Sequence, residues 1–176
     1  MRKLLILFFI HFSIFIMAQS TFYNIPLNDI NGDPINLFDF QGKMIMVVNV
    51  ASKCGFTSQY EDLELLYQKY KEDLIIIGVP CNQFGNQEPG NSEEIKAFCT
   101  KKYNVNFILT EKLEVKGKNQ HPLYEWLTNK ELNLKKNSSV KWNFQKYLIN
   151  RNGEYLDYFF STTKPKSKKI INLIEQ

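Results

Sequence analysis

Two short, continuous apolar runs, Met44–Val50 and Leu74–Val79, constrain this chain more than any other feature. Strands that face water on one side alternate apolar and polar residues; a continuous run reads as a strand buried on both faces, as parallel strands covered by helices are. The residues between the runs repeat with a helical period, with Tyr60, Leu63, Leu66, Tyr67 and Tyr70 on one stripe. Ser58, followed three residues later by Glu61, has the pattern of a capping box and predicts the helix start. Together these segments predict a β-α-β unit.

The remaining segments add to that unit. Phe22 to Leu37, two apolar stretches around Asn31-Gly32, predicts a lead-in β-hairpin. Asn91, with acidic residues after it, predicts a second helix to about Lys102 that carries Ile95, Phe98 and Cys99 on one face. Pro122 to Asn129 reads as a third helix with proline in its first turn. Phe144–Asn150 and Tyr155–Ser161 flank Asn152-Gly153 and predict an antiparallel hairpin, and Ser167–Gln176 closes the chain as a helix with Ile170, Ile171 and Ile174 inward. This order is that of an α/β, thioredoxin-like fold: a mixed central β-sheet flanked by helices, here with an N-terminal β-hairpin.

The first 18 residues stand apart. Arg2-Lys3, the apolar stretch Leu4–Met17 and Ala18-Gln19 have the layout of a secretory signal peptide and its cleavage point, so the expected division is a leader over 1–18 and one domain over 19–176. The protein is then exported, to a periplasm or outside the cell; an uncleaved membrane anchor is the alternative. The 22 basic residues, less Arg2 and Lys3, against 18 acidic ones leave a net charge of about +2, which gives no electrostatic footprint for nucleic acid. Lys164, Lys166, Lys168 and Lys169 read as a solvated face.

Chemistry concentrates at Cys54, which follows the first apolar run and precedes the first helix in Asn49-Val-Ala-Ser-Lys-Cys54-Gly-Phe-Thr57. Unpaired N–H groups at a helix start favour the nucleophilic, ionised form of a thiol, so Cys54 is the candidate nucleophile. Four runs of the sequence, this one together with Pro80-Cys-Asn-Gln-Phe-Gly-Asn-Gln87-Glu-Pro89, Pro122-Leu-Tyr124 and Val140-Lys-Trp142-Asn143-Phe144, resemble the glutathione peroxidase family from about Phe22 to the last helix.

That resemblance implies a role for each matched residue. Cys54 matches the position that reduces peroxide; Gln87, Trp142 and Asn143 match its partners, neutral donors able to stabilise sulfur and a departing oxygen. Sulfur would attack the terminal peroxide oxygen, release water or an alcohol and become sulfenic acid. Cys99 matches the resolving cysteine of members reduced by thioredoxin rather than glutathione, implying a Cys54–Cys99 disulfide handed to an external dithiol. Because Cys99 shares its helical face with Ile95 and Phe98, it should point to the core in the reduced fold, and the helix should unwind locally in each cycle. The implied partners are a hydroperoxide and a thioredoxin-like reductant or glutathione, with no cofactor, no metal and no nucleic acid. Membrane contact would arise only through lipid peroxides.

Other readings of the same residues stay open. An exported thiol switch that senses peroxide and relays oxidation to a partner protein, or a glutathione-dependent one-cysteine peroxidase, would share the first step. Cys81 reads as a small buried hydrophobe, and a zinc site from Cys54, Cys81, Cys99 and His121 lacks a close-spaced ligand pair. Thr57 stands where a Cys-x-x-Cys oxidoreductase needs its second thiol. By pattern alone Trp142 belongs to a Val140/Trp142/Phe144 core alternation with Asn143 exposed, and neighbours in a regular strand cannot face one site, so both must lie at a bend. Between Trp126 and Val140 the chain has no room for the long loop of tetrameric members, which implies a monomer with an open, shallow site.

Overall fold

The computed structural model describes residues 22–176; the leader assigned to 1–18 lies outside them. Five strands form one sheet: β1 (Met44–Val50), β2 (Leu74–Pro80), β3 (Ile108–Leu109), β4 (Lys146–Ile149) and β5 (Tyr155–Phe159), in the order β3-β2-β1-β4-β5. The β1 strand pairs parallel with β2 and antiparallel with β4. Its central place explains the continuous apolar run, since all seven of its residues are buried.

The sheet divides the apolar interior into two layers. Alternate residues of β1 point to opposite faces, Met44, Met46, Val48 and Val50 into one layer and Ile45 and Val47 into the other. The first layer is covered by three helices, α1 (Gln59–Tyr70), α2 (Ser92–Tyr103) and, last in the chain, α5 (Lys168–Ile174), through Tyr60, Leu63, Leu66, Ile95, Cys99, Ile170 and Ile174. The second is covered by α3 (Pro122–Thr128), through Leu123, Tyr124, Trp126 and Leu127, followed by the one-turn α4 (Lys130–Asn133). This is the thioredoxin-like arrangement expected from the element order.

Local chemistry explains most boundaries. Asn91 caps α2 in a capping box: its side chain accepts from Glu94 N–H while the Glu94 carboxylate accepts from Asn91 N–H. Asn104 ends the helix in the left-handed conformation. His121 caps α3, its Nδ1 accepting from Leu123 N–H at 3.1 Å. Among the described residues no helix is long and apolar enough to cross a membrane.

Two expectations need correction. The lead-in segment turns at Asn31-Gly32 as expected, but it forms no regular strand ladder: one antiparallel bridge, Asn28 with Pro34, flanked by Asp29 N–H to Asp33 O and Ile35 N–H to Leu27 O, stands between two single 3₁₀ turns, Phe22–Asn24 and Leu37–Phe40. Pro26 and Pro34 lack the N–H groups a ladder needs, and the Asp29 carboxylate takes the amides of Asn31 and Asp33. The second correction concerns Ser58, which precedes α1 in a helical conformation and makes no side-chain capping bond. Consecutive turns with i→i+3 bonds, Thr57 N–H to Cys54 O, Gln59 N–H to Phe56 O and Tyr60 N–H to Thr57 O, already hold that amide run.

Candidate active site

Cys54 lies just beyond β1 at the head of those turns, 9% exposed. Three hydrogen bonds set its position. Cys54 N–H donates to Thr57 Oγ1 at 2.9 Å, Thr57 Oγ1 donates to Ala51 O at 2.8 Å, and Phe56 N–H donates to Cys54 Sγ at 3.4 Å. The bond to Thr57 gives the residue at the Cys-x-x-Thr position a job: a side-chain oxygen closes the loop where a dithiol enzyme carries sulfur.

Gln87 arrives on the loop after β2, through left-handed Gly85 and Asn86. A Cβ at Gly85 would meet only the Gln87 side chain, at 3.6 Å, so the positive φ rather than close packing calls for glycine there. The Gln87 carbonyl accepts from Lys53 N–H at 3.0 Å, which ties this loop to the residue before the candidate nucleophile. Phe84 of the same loop packs on Trp142 with ring centroids 5.7 Å apart.

Trp142 and Asn143 sit at a bend ahead of β4, not in a strand, and Phe144 turns the chain at φ 64°. The side chains consequently diverge in burial: Trp142 is 39% exposed and Asn143 fully buried. Asn143 Nδ2 donates to Gln87 Oε1 at 3.0 Å, joining the two carboxamides. Asn49 clamps the bend to β1, donating from Nδ2 to Trp142 O at 3.0 Å while its carbonyl accepts from Phe144 N–H at 2.6 Å. On the other side Ser161 Oγ donates to Asn143 O at 2.6 Å.

Hydrogen bonds therefore chain three distant segments together, from Lys53 to Gln87 and from Gln87 to Asn143, but the expected donors do not hydrogen-bond the Cys54 sulfur. Among the described residues, Sγ accepts from the Phe56 amide alone; Asn143 Nδ2 is spent on Gln87, and Asn143 Oδ1 is buried with no partner. Among the described residues the amide nitrogen of Gln87 and the indole N–H of Trp142 donate to no protein acceptor. Such bonds commonly tighten only when the reacting group arrives.

All three cysteines are free thiols. Cys99 is fully buried on α2, facing the same apolar layer as Cys54, as its helical face predicts. Burial pushes its thiol up to about 11, with the Glu88 charge adding to the effect and the neighbouring Tyr60 hydroxyl opposing it. The Tyr60 hydroxyl sits by that sulfur without a hydrogen bond of normal geometry. Cys81 is also fully buried, but in the layer on the other side of the sheet. Sequence reasoning passed over Asn49, Thr57 and Glu88. Asn49 carried a signal, a lone amide in an otherwise apolar strand; the other two had none without the loop geometry.

Beneath the bend Lys146 is fully buried and donates to Gln59 Oε1 and, at 2.7 Å, to Thr163 O. Burial lowers its ammonium to about 7, with Asp62 opposing. A surface hollow of about 810 Å³ lies elsewhere, between Ile30–Gly32 and the outer face of α2.

The glutathione peroxidase family model matches residues 22–128. The chain belongs to the glutathione peroxidase family. It is 49% identical over 151 residues to the glutathione peroxidase-like peroxiredoxin gpx1 of Schizosaccharomyces pombe, covering 84% of this chain and 94% of that one. The hydroperoxy fatty acid reductase gpx1 of Synechocystis is 44% identical over 154 residues, covering 84% and 91%. A crystal structure of Trgpx in its apo form superposes with a TM-score of 0.69 at 38% identity, covering 89% of this chain and 97% of its own. As a member of that family the protein is an oxidoreductase, a peroxidase.

Proposed function

We propose that the protein is a thiol peroxidase in which Cys54 reduces hydrogen peroxide and organic or lipid hydroperoxides, Gln87, Trp142 and Asn143 stabilise the departing oxygen, and Cys99 resolves the sulfenic acid. A thioredoxin-like dithiol then reduces the Cys54–Cys99 disulfide. The observation that carries this reading is the joining of three segments at Cys54: Lys53 N–H to Gln87 O, and Asn143 Nδ2 to Gln87 Oε1. Those bonds tie two neutral carboxamides to the residue beside a nearly buried thiol, which supports a site where neutral donors assist peroxide cleavage. The names of the fission-yeast and cyanobacterial relatives favour a peroxiredoxin-type cycle and fatty acid hydroperoxides among the substrates. The protein acts as a monomer, exported after removal of residues 1–18, and meets a membrane only through oxidised lipid.

Resolution needs movement, because Cys99 is buried in an intact helix and a disulfide tolerates only a short Cα separation. The α2 helix unwinds locally once Cys54 is oxidised. Peroxide-dependent turnover with thioredoxin or glutathione, on wild type, Cys54→Ser and Cys99→Ser, tests the cycle. Cys54→Ser loses all activity; Cys99→Ser keeps one burst of peroxide consumption and loses thioredoxin recycling. Robust glutathione turnover in Cys99→Ser would instead favour the one-cysteine route, and a single stoichiometric oxidation with either reductant would favour a peroxide-sensing switch.

A further inference from the structure

Lys146 stands within the sheet, its backbone fixed in β4 between Val48 of β1 and Phe159 of β5, and its side chain is fully buried. Among the described residues its terminal nitrogen forms no ion pair. It donates instead to three uncharged oxygens: Gln59 Oε1, Thr163 O at 2.7 Å and, more weakly, Ser161 O at 3.5 Å. Burying such a head is costly, and an apolar chain of similar length would fill the space without that cost. Stability alone gives no reason for a lysine here.

From that nitrogen an unbroken series of hydrogen bonds leads to the candidate site. Gln59, which accepts from Lys146, donates from Nε2 to Ser161 O at 2.7 Å. Ser161 Oγ donates to Asn143 O at 2.6 Å, and Asn143 Nδ2 donates to Gln87 Oε1 at 3.0 Å. Every side-chain nitrogen and oxygen of Lys146, Gln59 and Ser161 takes part. Gln59 also belongs to the turns that follow Cys54: its N–H donates to Phe56 O at 2.9 Å, and Phe56 N–H donates to Cys54 Sγ. These three side chains thus join the segment of the thiol to the segment of the carboxamide. Asn49 holds the residues on either side of Asn143, at Trp142 O and Phe144 N–H, but the Asn143 carbonyl itself is held by Ser161.

We propose that Lys146 is a positioning residue for the peroxide step: through Gln59 and Ser161 it sets where Asn143 stands relative to Cys54; this rests on Asn143 assisting that step. Without the Lys146 nitrogen, Gln59 Oε1 and Thr163 O lose their donor, the Gln59 amide is free to rotate away from Ser161 O, and the Asn143 bend drifts with Ser161. A donor displaced from the place where charge develops loses much of its effect. The thiol is not altered directly, because its own loop bonds to Phe56 and Thr57 remain.

Two rates measured on the same reduced variants test this. Oxidation of Cys54 by hydrogen peroxide, trapped with dimedone after rapid mixing and read by mass spectrometry, needs a donor at the departing oxygen. Alkylation of Cys54 by iodoacetamide, read the same way, does not. In Lys146→Met, which keeps the reach of the side chain, the peroxide rate falls at least about tenfold while the alkylation rate stays within about twofold of wild type. Ser161→Ala, which removes one hydroxyl, slows the peroxide step at least about threefold at unchanged alkylation and decides the matter if Lys146→Met does not fold. Because the residues act in series, the double variant is slower than Lys146→Met by less than about twofold. A wild-type peroxide rate in either single variant, a fall in both rates together, or a double variant that multiplies the single effects overturns the positioning role. Asn143→Ala tests the reading beneath it and slows the peroxide step at least about tenfold. A wild-type rate there overturns the role of Asn143 itself, a distinct result.

Discussion

Cys54 and Cys99 line the same apolar layer, yet one hangs from loop hydrogen bonds and the other is set into the middle of a helix. Around Cys54 the polar groups point inward: a backbone amide reaches its sulfur, and a threonine hydroxyl holds its own N–H. Around Cys99 burial and the Glu88 charge favour the protonated thiol, with the Tyr60 hydroxyl opposing them. The contrast teaches that a thiol held by turns stitched with a few bonds is accessible to attack, while one set into a helix is not. A thiol needs little motion to be attacked in the first setting, and local unfolding in the second.

The largest test of that contrast is alkylation. In reduced wild type, iodoacetamide should label Cys54 at least about a hundredfold faster than Cys99, and the gap should close in denaturant. Peptide mass spectrometry of timed samples measures it; equal native rates would erase the distinction. Next in size is the effect of oxidation on the helix. Amide exchange over Ser92–Tyr103 should speed up by about tenfold or more in the disulfide form, with little change in β1, and unchanged exchange would remove the unwinding step.

Asn49→Leu should then show how much of the Cys54 setting depends on the bend. Losing its Nδ2 bond to Trp142 O frees the Trp142–Phe144 turn, with an expected cost of about 1–3 kcal/mol in urea unfolding and a slower peroxide step. An unchanged peroxide rate would mean that the bend positions nothing.

The smallest effects are those of pH on stability. The Cys99 thiol is raised in the folded state, so the folded chain keeps a proton that the unfolded chain releases. Its contribution is present below the ordinary thiol value and lost as pH rises towards about 11, and Cys99→Ala should flatten that loss. Lys146 behaves oppositely. Its ammonium is lowered to about 7, so above that pH the unfolded chain binds the extra proton and stability rises with pH. Urea midpoints of wild type relative to Lys146→Met should therefore shift in favour of wild type between pH 6 and 8.5.

Much of this was legible in the residues. Buried parallel strands leave continuous apolar runs, and α2 carries its capping box openly in Asn91 and Glu94. Cys99 facing the core followed from helical period. The lead-in hairpin fell short of a regular ladder because apolar patterning takes no account of Pro26 and Pro34, which cannot donate to one. The bonds from Asn49 to the Trp142–Phe144 bend and from Asn143 to Gln87 join positions up to 95 apart in the chain and depend on left-handed residues such as Asn86 and Phe144, which no period announces.

The third cysteine gives the sheet a chemical meaning beyond support. Cys81 directly follows β2, its N–H bonded to Val50 O, but its sulfur lies in the opposite layer from Cys54 and Cys99. A wall of paired backbone thus stands between it and the other two thiols. In the proposed cycle Cys99 is then the one other thiol on the side of the sheet where Cys54 is oxidised.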